Sequence, residues 1–175
     1  MVRLTGGEWR GRTLAVPPGI RPTTELARKA VFDILGQDVP GTRVLDAAAG
    51  SGAFGLEALS RGAASALFVE RDRGVAKVLA ENVARVGAGE RASIRVEPVG
   101  LFVRRASERY DLVFHDPPWA DESAEDLEAL LLLLAPGGTL VHERGDGRSP
   151  LAAAGGPEPV DVRRYGTTWL HFFRG

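Results

Sequence analysis

The chain has 175 residues, 44% of them hydrophobic, with no cysteine and a formal net charge of −1. These figures predict one α/β-sized domain, and they exclude disulfides, thiolate zinc sites, cysteine nucleophiles and a chain that is basic throughout. No apolar run is long enough to span a bilayer and no signal-peptide core opens the sequence, so we expect a soluble, cytoplasmic protein.

The first 19 residues predict a basic β-hairpin that extends a domain spanning residues 20–175. Strands are expected at Val2–Thr5 and Trp9–Val16, with a glycine turn between them. Residues 1–29 contain six basic and two acidic side chains, which is a net charge of +4. This excess predicts a surface for phosphate groups. A solvated hairpin with scattered charges is the alternative, and charge alone favours it.

The rest of the chain alternates helical and extended patterns. A first helix is capped by Thr23 or Thr24, and its buried face is predicted to carry Leu26, Ala30, Val31, Ile34 and Leu35. Strands follow at residues 44–45, 66–69, 92–96, 110–114 and 139–142, helices at 53–60, 73–86, 101–107 and 121–134, and a closing hairpin at 160–165 and 169–173. This alternation predicts a doubly wound α/β fold, whose seven-stranded sheet is parallel except for one strand of the closing hairpin.

A glycine-rich turn follows the first strand of this sheet. Asp46 ends the strand, and glycines stand at 50, 52 and 55 before the next helix. Strand, glycine turn and helix together form small-molecule sites in α/β sheets. The turn lacks the Lys-Ser/Thr pair of a triphosphate loop, its glycine spacing misses the dinucleotide pattern, and its carboxylate suits a cationic or hydroxyl-rich ligand. A methyl-donor site, another nucleotide site and a purely structural turn remain equally open.

Two further strands of the predicted sheet end in carboxylates. Glu70 stands where an acidic residue can accept both hydroxyls of a ribose; favourable placement at a helix start explains it equally well. The segment Asp116-Pro117-Pro118-Trp119 follows the fourth strand. Its prolines fix the backbone, so a carboxylate, a free carbonyl and an aromatic ring can hold a planar amine. A rigid turn capped by a core Trp is the alternative, which composition alone favours.

Taken together, these motifs resemble the S-adenosylmethionine-dependent amino methyltransferases. Three segments are more specific, namely Gly6–Arg12, Arg21–Thr24 and Gly50–Gly62. They resemble the RsmD family of bacterial 16S ribosomal RNA guanine-N2 methyltransferases, and this resemblance covers nearly the whole chain. It implies a Rossmann-like class I methyltransferase fold, S-adenosylmethionine as the cofactor, and 16S ribosomal RNA or a small-subunit assembly intermediate as the partner. We also expect a monomer, and no metal, because the three histidines have no metal-ligand spacing.

The resemblance also implies roles for individual residues. The cofactor site is expected at Asp46, Ala48, Gly50, Gly52, Glu70, Arg71, Glu97, Thr23 and Thr24. Within it, Glu70 holds the ribose, and Glu97 substitutes beside the adenine because Pro98 stands where the family has Asp or Asn. The catalytic residues are expected to be Asp116, Pro117, Pro118 and Trp119. Arg10, Arg12 and Arg21 are expected to meet RNA phosphates. Trp119 replaces the commoner Phe or Tyr, and Val141–Arg144 departs from the expected acidic pattern.

These roles depend on one spatial hypothesis, that the ends of the first, second and fourth sheet strands converge on one crevice. There Asp116 and the Pro117 carbonyl would accept the hydrogens of the guanine amine and aim its lone pair at the methyl group. An adenine or a protein glutamine is an alternative target for the same site. A non-catalytic RNA-binding protein is the alternative of another class.

Overall fold

The computed structural model describes residues 1–20, 22–118, 123–149, 151 and 155–175. The strands are β1 (Val2–Arg3), β2 (Thr13–Leu14), β3 (Arg43–Ala47), β4 (Ser65–Glu70), β5 (Ala92–Val96), β6 (Tyr110–His115), β7 (Leu134–Arg144), β8 (Asp161–Tyr165) and β9 (Thr168–Arg174). The helices are α1 (Glu25–Leu35), α2 (Ala53–Ser60), α3 (Arg73–Val86), α4 (Val99–Val103) and α5 (Ala124–Leu132), and a 3₁₀ turn spans Gly36–Asp38.

Seven strands form one sheet in the order β5-β4-β3-β6-β7-β9-β8. The first five of these strands pair in parallel, whereas β9 pairs antiparallel with both β7 and β8. Only β9 therefore runs antiparallel to the others, as was predicted for one strand of the closing hairpin. The chain winds outward from β3 on one side and from β6 on the other. In such sheets ligands bind at this reversal, beyond the carboxyl ends of the strands.

Helix α2 lies in the middle of the core because all eight of its residues are buried. Its Phe54 ring stacks on Phe114 of β6 with centroids 5.0 Å apart, and Phe32 of α1 packs against the same ring at 5.6 Å. The predicted bounds of α2 and α3 are those observed, because both helices have clear stops after them. Because α2 is buried and makes these ring contacts, it is held in place behind the glycine turn.

The predicted buried face of α1 is wrong in part. Leu26 is 65% exposed and Ile34 is 44% exposed, whereas Val31 and Leu35 are buried as expected. Arg28 is fully buried in their place, since its guanidinium pairs with buried Glu57 of α2 and bonds the Arg3 carbonyl. The partner of Arg28 comes from a distant part of the sequence. Hydrophobic periodicity alone could not reveal it, and the buried face of α1 was therefore assigned incorrectly.

The starts of β7 and α4 also differ from the predictions. Strand β7 begins at Leu134 and includes the Pro-Gly-Gly segment that was expected to end the preceding helix. A register shift against β6, between Tyr110 and Leu112, accommodates this segment. Helix α4 begins at Val99 rather than residue 101, because the Pro98 backbone is extended and starts the helix.

The N-terminal hairpin is shorter than predicted, and its loop packs on the body of the protein. Trp9 belongs to the loop rather than to a strand, and it is buried in the same core cluster as α1 and α2. Its amide donates to the Ser60 hydroxyl at 2.9 Å, and that hydroxyl donates to the Gly6 carbonyl at 2.6 Å. The division of the chain at residue 19 stays a prediction. Within the described ranges, no helix is both long and apolar enough to cross a membrane.

Candidate active site

The carboxyl ends of β3, β4 and β6 open into a single cavity of about 610 Å³. The spatial hypothesis of converging strand ends is therefore confirmed. Ten of the expected site residues line this cavity, namely Thr23, Thr24, Asp46, Ala48, Gly50, Glu70, Arg71, Asp116, Pro117 and Pro118. Parallel strands place their carboxyl ends at one edge, so residues far apart in sequence meet there.

The glycine turn is held in left-handed backbone conformations. Ala48 has φ +61°, which is unusual for a residue with a Cβ, and Gly50 and Gly52 have φ +55° and +78°. A Cβ built on Gly52 would lie 2.4 Å from Leu79 Cδ1. Gly52 is buried and is absent from the cavity wall, so its contact is with helix α3 rather than with the cavity. It serves the site by letting α2 begin close to α3.

Glu70 is a fixed and mostly buried carboxylate at the end of β4. One oxygen accepts the Gly50 amide at 3.0 Å, and the other accepts the Asp72 amide at 2.9 Å. A carboxylate has about four lone-pair positions, so these two bonds leave capacity for further donors. Glu70 can therefore receive hydroxyl groups of a ligand without moving.

Asp46 is 3% exposed and accepts the Gly55 amide at 2.8 Å. Burial raises the pKa of Asp46 to about 8, and the nearby carboxylates of Asp116 and Glu70 add to this rise, while the Gly55 bond opposes it. A positively charged ligand group would favour the ionised form. The site is thus chemically suited to a cation beside Asp46.

Asp116 follows β6, and its carboxylate accepts a hydrogen bond from the Thr23 hydroxyl. Thr23 Oγ1 lies 2.8 Å from Asp116 Oδ2, and burial raises the pKa of Asp116 to about 6, with the Thr23 bond and His142 acting in the opposite direction. His115 and His142 stack behind it with ring centroids 5.0 Å apart. Burial and the neighbouring His142 hold the pKa of His115 well below its usual value. The His115 side chain is therefore neutral at physiological pH.

Some expected residues lie elsewhere. Glu97 is absent from the cavity wall, and its carboxylate pairs with Arg105 of the segment after α4. Arg10 and Arg12 belong to the N-terminal hairpin loop, and Arg12 Nη1 donates to the Val86 carbonyl at 3.1 Å. Arg21 and Trp119 lie outside the described residues. The assigned roles of these five residues stay predictions. For Glu97, the contact with Arg105 argues against the predicted role beside the adenine.

Sequence reasoning missed three carboxylates in the cavity wall, those of Asp72, Asp126 and Glu143. Glu143 stands near the carboxyl end of β7, where the rule that found Asp46 and Glu70 could have found it too. Asp126 comes from the first turn of α5, and its Oδ1 lies 2.8 Å from an ideal Cβ position at Gly100. No sequence spacing links Asp126 to the cavity, because only packing brings α5 against α4. Among the described residues, no cluster of three His, Asp or Glu side chains could hold a metal.

Comparison with known proteins identifies the family. The family described as "Conserved hypothetical protein 95" matches residues 2–174. This chain belongs to that family. Ribosomal RNA small subunit methyltransferase D of Escherichia coli K12 is 40% identical over 144 residues, which are 81% of this chain and 71% of that protein. The predicted membership in the RsmD family is thereby confirmed.

Solved structures support the same conclusion about the fold of this family member. A hypothetical protein of Thermus thermophilus is 37% identical, with a TM-score of 0.87 and 100% coverage of both chains. An RNA methyltransferase of Salinibacter ruber in complex with S-adenosyl-L-homocysteine is 18% identical, with a TM-score of 0.69 over 88% of this chain and 93% of that one. The predicted class I methyltransferase fold, the enzyme class and the S-adenosylmethionine cofactor are confirmed.

Proposed function

We propose that this chain transfers the methyl group of S-adenosylmethionine to the exocyclic N2 amine of a guanine in 16S ribosomal RNA, with guanine 966 as the expected base. The observation that carries the proposal is the shared cavity, because Asp46 and Glu70 line it together with Asp116 and Pro117. A methyl donor and a planar amine can meet in this cavity. Holding both in line supplies much of the catalysis in such transfers.

The residues on the β3 and β4 side fit the donor. Glu70 is fixed by two backbone amides and keeps lone pairs for the ribose hydroxyls. Asp46 has a raised pKa that a bound cation would lower, which suits the charged methionine part. Pro98 and Val99 line the wall that remains for the adenine ring. When bound, the cofactor supplies an electrophilic methyl group on a sulfonium centre.

The residues after β6 fit the acceptor amine. The N2 lone pair of guanine is delocalised into the ring, so the amine is a poor nucleophile. Asp116 and the Pro117 carbonyl would accept its hydrogens, favour a pyramidal nitrogen and aim the lone pair at the methyl group. Two prolines fix φ in this loop, which keeps both acceptor oxygens in place. Stacking of Trp119 on the base is part of the proposal.

The RNA substrate is supported by the named relatives and by the hairpin. Several of the relatives are ribosomal RNA small subunit methyltransferases by name. Arg10 is exposed, and Arg12 is exposed with one of its donors bonded to Val86, which leaves other guanidinium N–H groups for phosphates. Exposed arginines of this kind give affinity without base specificity. The target base itself must be unstacked to reach the cavity.

The test is methyl transfer from labelled S-adenosylmethionine to ribosomal RNA of cells that lack this modification, followed by mapping of the methylated nucleotide. We expect the label on guanine N2. Replacing Asp116 with Asn should lower transfer at least about 100-fold with donor affinity nearly unchanged. Asp33→Asn on the exposed side of α1 is the matched control. Label on an adenine or a protein glutamine would contradict the guanine assignment, and calorimetry without donor binding would favour a non-catalytic protein.

A further inference from the structure

One hydroxyl lies between two carboxylates at the acceptor side of the cavity. Thr23 Oγ1 is 2.8 Å from Asp116 Oδ2 and 2.6 Å from Glu143 Oε2, so both distances are those of hydrogen bonds. A threonine hydroxyl has only one hydrogen to donate. It can satisfy one of the two carboxylates, and the other contact needs a hydrogen from the carboxyl group itself.

We propose that Asp116, Thr23 and Glu143 form a proton relay that carries away the proton released when the amine is methylated. This inference rests on the proposed function, since it assigns a path for a proton that the methyl transfer must release. It adds Thr23 and Glu143 to the reaction as relay residues, whereas Asp116 alone touches the amine.

The proton count follows from the geometry. If both carboxylates were ionised, one of the two short contacts would bring two lone pairs together without a hydrogen between them. One shared proton removes this repulsion, as it does in pairs of neighbouring carboxylates. The resting arrangement that leaves Asp116 ready to accept has the proton on Glu143, which donates to Thr23 Oγ1 while Thr23 donates to Asp116.

During the reaction the sulfur–methyl bond breaks, the N2–methyl bond forms, and one N2–H bond breaks. The proton passes to Asp116, and Glu143 releases its own proton to solvent. The hydrogen-bond chain then reverses, because Asp116 donates to Thr23 Oγ1 and Thr23 donates to Glu143. Charge and atoms balance, since one proton enters at Asp116 and one leaves at Glu143 for each methyl group transferred.

Glu143 is placed to deliver this proton to the surface. It is partly exposed in the cavity wall near the carboxyl end of β7. Thr168 Oγ1 lies 3.4 Å from its other oxygen and orients the carboxyl group. Thr168 follows the exposed turn residues Gly166 and Thr167, so the relay ends beside solvent. Hydrogen bonds through Thr23, Glu143 and Thr168 therefore connect Asp116 to this turn.

Other ionisable groups also face the relay and contribute to its pH dependence. Among the described residues, those that face Asp116 or the cavity from the neighbouring elements are Asp46, Glu70, Arg71, Asp72, His115, His142 and Asp126. All seven are retained in the variants below. Differences between the pH profiles of the variants therefore report on Thr23 and Glu143.

The experiment measures single-turnover methyl transfer to ribosomal RNA between pH 5 and 9, with donor affinity measured separately by calorimetry. Thr23→Val keeps the shape of the side chain and removes its hydroxyl, so the rate should fall about 10- to 100-fold. The midpoint of the acidic limb should move to higher pH, because two carboxylates then face each other without a hydroxyl. Thr23→Ser should restore most of the rate.

Glu143→Gln should lower the rate by a similar factor but move the acidic limb to lower pH, because the amide cannot share the proton. Glu128→Gln on the exposed side of α5 should behave like the unchanged protein. The opposite shifts of Thr23→Val and Glu143→Gln are the decisive result. Reduced donor or RNA affinity with an unmoved acidic limb in both variants would overturn the relay and leave Thr23 a structural contact.

A failure of the proposed function gives a different result. In that case the unchanged protein itself transfers no methyl group to guanine, and no variant can be compared. Infrared difference spectra provide a readout that does not depend on activity. At pH 6 the Glu143→Gln protein should lack one protonated-carboxyl band that the unchanged protein shows, and an identical spectrum would overturn the shared proton.

Discussion

Replacing Asp46 with Asn should stabilise the ligand-free protein while weakening its binding of S-adenosylmethionine. Burial raises the pKa of Asp46 from its ordinary value of 3.8 to about 8. At pH 7 the carboxyl is therefore protonated in the folded protein and ionised in the unfolded chain. Folding takes up a proton at this side chain, so the free energy of unfolding falls as pH rises between these two pKa values.

The magnitude follows from the size of this shift. Each pH unit above 3.8 lowers the free energy of unfolding by about 1.4 kcal/mol, up to the folded-state value near 8. At pH 7 the loss is about 4 kcal/mol. Asn keeps an oxygen for the Gly55 amide but adds a buried NH₂ group, which costs about 1–2 kcal/mol. The variant should therefore be more stable than the unchanged protein by about 2–3 kcal/mol at pH 7.

Urea unfolding of both proteins at pH 5, 7 and 8, without donor, measures this difference. It should be near zero at pH 5 and largest at pH 8, because only the unchanged protein carries the ionisable group. Added S-adenosylmethionine should stabilise the unchanged protein by mass action and the variant much less. Asp33→Asn, exposed on α1, is the control. A variant that is less stable at pH 8 would show that Asp46 is ionised in the folded protein, and the reasoning would be refuted.

Three other substitutions test the site and the core. Glu70→Gln should raise the dissociation constant for S-adenosylmethionine about tenfold or more by calorimetry, and unchanged affinity would contradict the ribose contact. Glu57→Gln should lower the free energy of unfolding by about 3–5 kcal/mol, since it removes the buried counter-ion of Arg28; a loss below about 1 kcal/mol would argue against the pair. Gly7→Ala places a Cβ 1.8 Å from the Ser60 carbonyl oxygen, whereas at Gly11 nothing lies within 4 Å. By urea unfolding Gly7→Ala should therefore be more damaging than Gly11→Ala, and equal losses would exclude the contact.

Local patterns in the sequence were sufficient for most of the sheet and for the strand-end carboxylates that line the cavity. Apolar segments between helical stretches predicted where the strands lie along the chain, and glycine and proline marked where helices stop. Asp46, Glu70 and Asp116 were found because each ends or follows a strand, and parallel strands bring such ends together. These inferences needed only neighbouring residues and one general rule of α/β sheets.

Inferences that required a distant partner failed or were missed. The face of α1 was misassigned because Arg28 is buried through Glu57, which belongs to another helix. For Glu97 the sequence could not show that its carboxylate pairs with Arg105, and its expected role beside the adenine stays a prediction. Asp126 reaches the cavity only because α5 packs on α4. Charge and periodicity report what a residue can do, whereas its partner depends on how the elements are packed.

The sequence alone determined the succession of the elements along the chain, the turn beside Asp46 and the place of Asp116 after a strand. These features depend on backbone preferences and burial patterns that act over a few residues. Only the tertiary structure decided that Thr23, Asp116 and Glu143 share one hydroxyl, because that contact joins residues 93 and 120 positions apart from Thr23. The number of protons that these three side chains share can be inferred only from the contacts between their oxygens. Those contacts form only when the chain folds.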